Sequence, residues 1–352
     1  MKVVAKGVKQ PVTSMRLLMD GRPYQGAGAV KKFEKPDLNA EASWEVPLTP
    51  GQHTFSVIAE TTVSRGMSKL ATVTRSGTPP KPNLYVLTMG ISKYTGGVNP
   101  LRYCASDAIV LAKAFQQMSK GVFDKIEVKV LTDEQATKQG MRDGMDWLKS
   151  KMTPQDIGIV AFSGHGSKDP FDRFFLVPFG FDGNSAEQTG FSGDEFRERL
   201  EKIPGRIVAI LDACHSGSVT GGGAPARADN LVRDLASEDA GVIVMCASLG
   251  SEVSWESPLT KAGLFTLGLV EGLSGHADID GDGLIYIHEL DTYAAARALQ
   301  LCKFHGFSDQ NSTTGRPPGI RPFPIASVEK SAPGPKGKEK EKDAPMPKEK
   351  KP

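Results

Sequence analysis

The sequence predicts an α/β domain with a mainly parallel sheet, preceded by a small β-sandwich of immunoglobulin type. From residue 84 onward, compact apolar runs alternate with amphipathic helical patterns, as in a parallel sheet flanked by helices. Residues 12–76 instead carry short strand patterns at intervals of about ten residues, which is typical of a sandwich. The Pro-rich segment 77–83 lies between the two patterns and is predicted to be a stiff linker.

The elements of the α/β domain are predicted in a regular order. Strands are predicted at residues 84–91, 125–131, 157–162, 174–178, 207–211 and 241–247. Helices are predicted at residues 104–118, 137–151, 192–202, 259–273 and 287–301. In the sandwich, strands are predicted at residues 15–19, 42–48, 53–59 and 67–73. The domains are therefore placed at residues 1–76 and 84–325, and a disordered Lys/Pro-rich tail is placed at residues 326–352.

Composition excludes several classes of function. The formal net charge is +2, so broad attraction to nucleic acid is not expected. No apolar run reaches about 18 residues, so no membrane-spanning helix is expected, and the first residues lack the apolar stretch of a signal peptide. The few cysteines are scattered and form no CxxC pair, which predicts free thiols in the reducing cytoplasm. These cysteines are Cys104, Cys214, Cys246 and Cys302.

Two short segments carry the chemistry, namely residues 162–166 (FSGHG) and 211–217 (LDACHSG). Each follows a strand of the predicted parallel sheet, and catalytic groups gather where such strands end. A thiol hydrolase needs a thiolate and a base, which predicts Cys214 as nucleophile and His165 as the group that takes its proton. A single buried Cys or His is usually structural, so the prediction depends on the pair. His215 is the competing histidine, and its place in the turn beside Cys214 makes it the weaker candidate.

Residues 84–302 resemble the caspase superfamily of cysteine peptidases, on its metacaspase, paracaspase and orthocaspase side. The resemblance rests on the two segments above and on residues 101–108 (LRYCASDA). It implies the caspase–haemoglobinase fold and a catalytic dyad of His165 and Cys214. It also implies that backbone N–H groups of Gly166 and Cys214 hold the oxyanion, and that the chemistry requires no cofactor.

The resemblance further implies a substrate preference. By position, Asp107 and Asp212 match the acidic residues that line the S1 pocket of metacaspases, with Cys104 and Ser163 beside them. Two carboxylates would bind Arg through paired hydrogen bonds, bind Lys as a point charge and repel Asp, so cleavage after Arg or Lys is expected. An alternative for Asp107 is a carboxylate favoured by a helix N-terminus. Glu256, in a later segment where the family often places substrate-binding residues, is a further candidate for the pocket.

Three questions of activity and partnership stay open at this point. A basic-specific peptidase could process itself at Arg227 or Arg233 in segment 217–240, although a flexible surface loop is the alternative. The domain could also be a catalytically silent scaffold or signalling module, or the β-domain could be an extracellular binding module. Bacterial caspase-like proteins with such a β-sandwich imply a sensor-domain or WD40-type partner by analogy.

A separate acidic motif at residues 278–289 (DIDGDGLIYIHE) fits the twelve-residue EF-hand loop. In that interpretation the side chains of four residues and one backbone carbonyl, that of Leu284, bind Ca²⁺. The side-chain ligands would be Asp278, Asp280, Asp282 and a bidentate Glu289. The alternative is a tight acidic turn in which Glu289 opens a helix.

Overall fold

A computed structural model of the chain describes residues 1–24, 30–213, 229–237, 240–248, 254–317 and 319–328. Within these residues an all-β region is followed by an α/β region. Buried apolar side chains of the all-β region form a cluster separate from the two large clusters of the α/β region, so each region has its own core. In the part of the chain that is described, no helix is both long enough and apolar enough to cross a membrane.

The all-β region consists of two antiparallel sheets. Its strands are β1 (Lys2–Lys6), β2 (Val12–Met19), β3 (Arg22–Pro23), β4 (Val30–Asp37), β5 (Asn39–Ser43), β6 (Gly51–Glu60), β7 (Arg65–Met67) and β8 (Ala71–Arg75). In the larger sheet β2 pairs with β6, β3 and β4 pair with β2, and β7 and β8 pair with β6. Strands β1 and β5 form the second sheet. Leu17, Ala42 and Val57 bring residues of both sheets into one core, and a β-sandwich of immunoglobulin type stays a prediction.

Two strand predictions for this region are wrong in their extent. The strand predicted at residues 67–73 is interrupted between β7 and β8, because Ser68 exchanges hydrogen bonds with Val57 through its N–H and its hydroxyl. The strand predicted at residues 42–48 ends at Ser43 and is the last part of β5. Strands β1 and β4 were not predicted, because their charged sequences lack a clean apolar alternation.

The α/β region contains the remaining elements. Its strands are β9 (Leu84–Gly90), β10 (Ile126–Thr132), β11 (Ile157–Ser163), β12 (Gly166–Lys168), β13 (Phe174–Leu176), β14 (Phe191–Ser192), β15 (Arg206–Asp212), β16 (Val242–Cys246), β17 (Glu256–Ser257), β18 (Ala262–Gly263), β19 (Leu284–Tyr286), β20 (Thr313–Gly315) and β21 (Pro324–Ser327). Its helices are α1 (Cys104–Met118), α2 (Lys138–Lys151), α3 (Ala186–Thr189), α4 (Gly193–Glu201), α5 (Asp229–Leu235), α6 (Leu264–Glu271) and α7 (Ile287–His305).

The central sheet has the strand order β10-β9-β11-β15-β16-β20. All neighbouring strands in it are parallel except β20, which runs antiparallel to β16. Strands β9, β11 and β16 are buried along their whole length, because helices cover both faces of the sheet. Ile159 packs in the core with α1, α6 and α7, whereas Val160 packs in the core with α2, α4 and α5. This arrangement leaves the carboxyl ends of the strands as the place for a site.

The predicted central strands and most of the helices occur close to their predicted positions. The helix predicted at residues 259–273 begins only at Leu264, because the preceding residues form the hairpin β17–β18. The segment predicted as a loop at residues 217–240 contains α5, in which Arg233 lies, while Arg227 is outside the described residues. The tail predicted from residue 326 begins too early, since β21 extends to Ser327.

A buried arginine joins the two regions. Arg22 is 7% exposed, and its guanidinium donates to the carbonyls of Leu200 at 3.0 Å, of Ile203 at 2.8 Å and of Ala240. Burial lowers the pKa of Arg22 to about 10. The three carbonyls lie at the end of α4, just after it, and before β16, so the all-β region is fastened to the frame of the central sheet.

Candidate active site

The His and Cys segments meet at the carboxyl edge of the central sheet. Ser163 and Asp212 are direct neighbours at the ends of β11 and β15. Gly164 donates its N–H to the carbonyl of Asp212 at 3.0 Å. A Cβ on Gly166 would collide with the carbonyl oxygen of Ala213, so only glycine allows this close approach. Ala213 is the last described residue before the predicted nucleophile, Cys214, which lies outside the described residues.

His165 is buried at this edge, with 1% of its surface exposed. Its Nε2 lies 2.8 Å from the carbonyl oxygen of Asn99, in the loop between β9 and α1. A carbonyl only accepts hydrogen bonds, so Nε2 is the donor and carries the proton of the neutral ring. Nδ1 is therefore the ring nitrogen that can take a proton from a reacting group.

Two buried carboxylates, those of Asp107 and Asp212, lie beside the His segment, with exposures of 3% and 4%. A Cβ on Gly263 would stand 2.9 Å from Oδ2 of Asp107 and 3.2 Å from Oδ2 of Asp212, so both carboxylates reach the same point. The N–H of Gly263 donates to Oδ2 of Asp107 at 2.9 Å. Burial raises the pKa of Asp107 to about 8, with further contributions from the charges of Asp212 and Glu256. A positive charge placed beside this pair would relieve the repulsion between its carboxylates.

Cys104 lies within this cluster, at the first residue of α1. Burial raises the pKa of its thiol well above the ordinary value, and the charge of Asp212 acts in the same direction. Because the thiolate is the reactive form of cysteine, this buried thiol is a poor nucleophile and serves as a small neutral wall of the cluster.

Glu256, at the start of β17, completes the group of predicted pocket residues. Its Oε1 accepts the N–H of Tyr103 at 2.9 Å and lies 3.7 Å from the thiol of Cys104. Its Oε2 accepts the N–H of Arg102 at 3.1 Å. Glu256 therefore holds the residues just before α1 in place, a role that the sequence did not indicate. The structure thus brings together all five residues that were predicted to line the pocket.

Sequence reasoning missed three residues that shape the site. Asn99 acts through its main-chain carbonyl, for which no side-chain signal exists. The hydroxyl of Tyr94 accepts the backbone N–H of His165 at 2.8 Å. Asp133 accepts the N–H groups of Ser92 and Lys93, each at 2.8 Å, and so fixes the loop that carries Asn99 and Tyr94. An aromatic residue with a polar tip just after a buried strand was the available signal for Tyr94.

The predicted calcium loop lies away from this edge, between the end of α6 and α7. The two oxygens of Glu289 accept the N–H of Ile279 at 3.1 Å and of Tyr286 at 2.9 Å, which agrees with the tight-turn and helix-start alternative. Leu284 begins β19 and donates its N–H to one of the loop aspartates at 2.7 Å. Three carboxylates offer oxygens within 4.8 Å of one another, a donor set that suits Ca²⁺, and these are Asp278, Asp280 and Asp282. Calcium binding here stays a prediction.

Comparison with known proteins places these observations in a family. The chain is 29% identical over 147 residues to metacaspase-1B of Aspergillus terreus, covering 38% of this chain and 38% of that protein. It is 28% identical over 133 residues to metacaspase-4 of Arabidopsis thaliana, covering 36% of this chain and 32% of that protein. The chain therefore matches only about a third of the length of these relatives. The Drosophila initiator caspase Dronc has a TM-score of 0.45 at 10% identity, covering 69% of this chain and 82% of that one.

The match to a family model is more extensive. The model described as the caspase domain matches residues 84–290, well over half of the chain. The matched residues run from β9 to the start of α7 and include His165, Cys214 and the acidic cluster around Gly263. The chain belongs to the caspase domain family.

Proposed function

We propose that this chain is a cysteine endopeptidase that cleaves peptide bonds after Arg or Lys. The observation that carries the proposal is the meeting, at one sheet edge, of a buried, oriented imidazole with a buried carboxylate pair. The imidazole is that of His165, held at Nε2 by the carbonyl of Asn99. The carboxylates are those of Asp107 and Asp212, which converge on Gly263.

In the proposed reaction, Nδ1 of His165 takes the thiol proton of Cys214, and the sulfur forms a bond to the carbonyl carbon of the substrate. The N–H groups of Gly166 and Cys214 would hold the oxyanion. The imidazolium then gives its proton to the leaving amine as the C–N bond breaks, which leaves a thioester. Water, with its proton taken by His165, hydrolyses the thioester and restores the thiol. The close approach of Gly166 to the carbonyl of Ala213 supports this arrangement.

The charge of the cluster supports the proposed specificity. A guanidinium can bond to two carboxylates at once, an ammonium is attracted as a point charge, and a substrate Asp would be repelled. Cys104 and Ser163 add a small neutral wall, so the negative charge comes from Asp107 and Asp212, with Glu256 nearby. A cation in this pocket would replace the unfavourable contact between buried carboxylates by a favourable one.

The affinity for basic substrates should increase with pH. Burial raises the pKa of Asp107 to about 8, so this carboxyl is protonated below that pH in the free enzyme and charged above it. KM for an Arg-terminated peptide is therefore expected to fall as the pH rises through about 8, because only the ionised carboxylate attracts the cation. In Asp107→Asn, KM measured over the same pH range should no longer fall as the pH rises. A wild-type KM that stays constant would contradict the assignment.

The proposal is tested with peptides that carry Arg, citrulline, Lys or Asp before a fluorogenic leaving group. Wild-type protein should cleave the Arg and Lys peptides, and Cys214→Ala should be inactive, because its side chain has no nucleophilic atom. Citrulline, which keeps the shape of Arg without its charge, should be cleaved at least about a hundredfold more slowly. The matched control is Cys302→Ala, which removes a buried thiol from α7 and should keep its activity. Absence of cleavage by folded wild-type protein would favour the silent-scaffold alternative.

A further inference from the structure

The peptide N–H of His165 is bonded in an unusual way. His165 is the second residue after β11, and its N–H donates to the phenol oxygen of Tyr94 at 2.8 Å rather than to a neighbouring strand. By contrast, the preceding residue, Gly164, donates its N–H to the main-chain carbonyl of Asp212 in β15. A buried N–H needs an acceptor, and here a side chain supplies it.

The phenol ring of Tyr94 also contacts the imidazole directly. The ring centroids of Tyr94 and His165 are 4.9 Å apart, with their planes at 44°. The Tyr94 side chain therefore holds His165 at two places, its backbone N–H and the face of its ring. The carbonyl of Asn99 supplies the third restraint, at Nε2. These three contacts limit both the backbone position of His165 and the rotation of its imidazole.

The surrounding residues are suited to this contact. A Cβ on Gly164 would lie 2.6 Å from the hydroxyl of Tyr94, so glycine at this position lets the phenol reach the backbone of His165. Tyr94 is partly buried among apolar side chains, including Val98. Its loop is anchored by Asp133 through the main chain of the two preceding residues. Burial raises the pKa of the Tyr94 hydroxyl well above its ordinary value, so it stays neutral at physiological pH.

We infer that Tyr94 is a positioning residue that holds His165 in the orientation from which Nδ1 can exchange a proton with the nucleophile. The inference rests on the proposed function, in which His165 is the base. Tyr94 itself takes no proton in the reaction and does not contact the substrate. Its contribution is the correct placement of the imidazole at the moment of proton transfer.

The test is Tyr94→Phe, which keeps the ring against the imidazole and removes only the acceptor of the His165 N–H. Active sites are counted with an irreversible peptidyl-Arg ketone, and kcat is expressed per labelled site. We expect kcat to fall by about tenfold or more with KM changed by less than about threefold, since placement for chemistry and not binding is altered. The lower limb of the kcat pH profile should also move, because it reports the ionisation of His165.

Tyr85→Phe is the matched control. Tyr85 is also buried and lies near the start of β9, where it packs on Trp147, far from the strand ends that form the site. Its kcat should equal that of the wild type. A Tyr94→Phe enzyme with wild-type kcat per labelled site and an unchanged pH profile would overturn the inference. Loss of labelled sites alone, with normal kcat per site, would also overturn it, because that pattern indicates a purely structural role.

Different variants test the proposed function and the role of Tyr94. If Cys214→Ala or His165→Ala keeps its activity, the proposed function is wrong, whatever Tyr94→Phe does. If both of those variants are inactive and Tyr94→Phe is normal, the proposed function stands and only the role of Tyr94 is wrong.

Discussion

His165→Ala is expected to lower kcat/KM for an Arg-terminated peptide by about a thousandfold or more, the effect of removing one member of such a catalytic unit. The physical reason is that the imidazole is almost fully buried, at 1% exposure, so bulk water cannot replace it as a proton acceptor. Its Nε2 is committed to the carbonyl of Asn99, which leaves Nδ1 as the only ring nitrogen for the reaction. The measurement is the steady-state rate, normalised to the concentration of folded protein.

The matched control for this variant is His276→Ala. His276 also bonds to a main-chain carbonyl, that of Glu271 at 3.0 Å, but it is exposed and lies in the turn that follows α6. Its loss should leave kcat/KM unchanged within about a factor of two. If His165→Ala kept more than about a tenth of the wild-type activity, the assignment of this histidine as the base would be wrong.

Neutralising the two carboxylates that meet at Gly263 is expected to reduce selectivity for basic residues. For Asp212→Asn, and for Asp107→Asn at a pH above about 8, kcat/KM on Arg peptides should fall by about a hundredfold, because a buried cation then loses a charged partner. Asn keeps an oxygen that can accept the N–H of Gly263, so the backbone contact of Asp107 survives the change. The reduction should be larger for the Arg peptide than for its citrulline analogue.

Although Asp107→Asn should lower activity, it should not lower the stability of the fold. The pKa of Asp107 is raised from 3.8 to about 8, so the unfolded chain loses this proton at a lower pH than the folded protein does. The stability that this group contributes is therefore fully present below about pH 4 and is lost as the pH rises to about 8. Asp107→Asn should accordingly keep or raise Tm at pH 8 while it lowers activity. A fall in both would indicate that the carboxylate supports the fold and not the substrate.

The exposed carboxylate of Asp194, on the first turn of α4, offers the control for both measurements. Asp194→Asn removes one exposed negative charge that does not belong to the Asp107–Asp212 pair, and it should change neither Tm nor the Arg-to-citrulline ratio appreciably. If it changed that ratio as much as Asp212→Asn, overall charge and not a local pocket would explain the selectivity.

The central strands could be predicted because they are buried on both faces and therefore appear as continuous apolar runs. The side chains that carry chemistry directly after those strands, such as His165, could be placed at one edge for the same reason. The short hairpin β17–β18 could not be predicted, since it forms through contacts such as that of Gly263 with Asp107, which is 156 residues away in the chain. The pattern of residues within a short segment cannot indicate contacts with residues so far away in the sequence.

The roles of some site residues could be predicted from the sequence, whereas the roles of others depend on the tertiary fold. Asp107 and Asp212 carry charge in their side chains, so their chemistry was visible in the sequence. Asn99 contributes a carbonyl that any residue could supply, and the bonds of Glu256 to main-chain N–H groups depend on the tertiary fold. The hydroxyl of Tyr94 can accept the backbone N–H of His165 only because Gly164 leaves space for it.

Covalent labelling is the most decisive experiment on the proposed function, because a single reagent reports on the nucleophile, the base and the charge preference. Wild-type protein is treated with a peptidyl-Arg acyloxymethyl ketone, and the adduct is located by mass spectrometry of the digested protein. We expect a single adduct on Cys214, which is lost in His165→Ala and does not form with the peptidyl-Asp reagent. An adduct on another residue, equal labelling by the Asp reagent, or undiminished labelling of Cys214 in His165→Ala would contradict the proposed function.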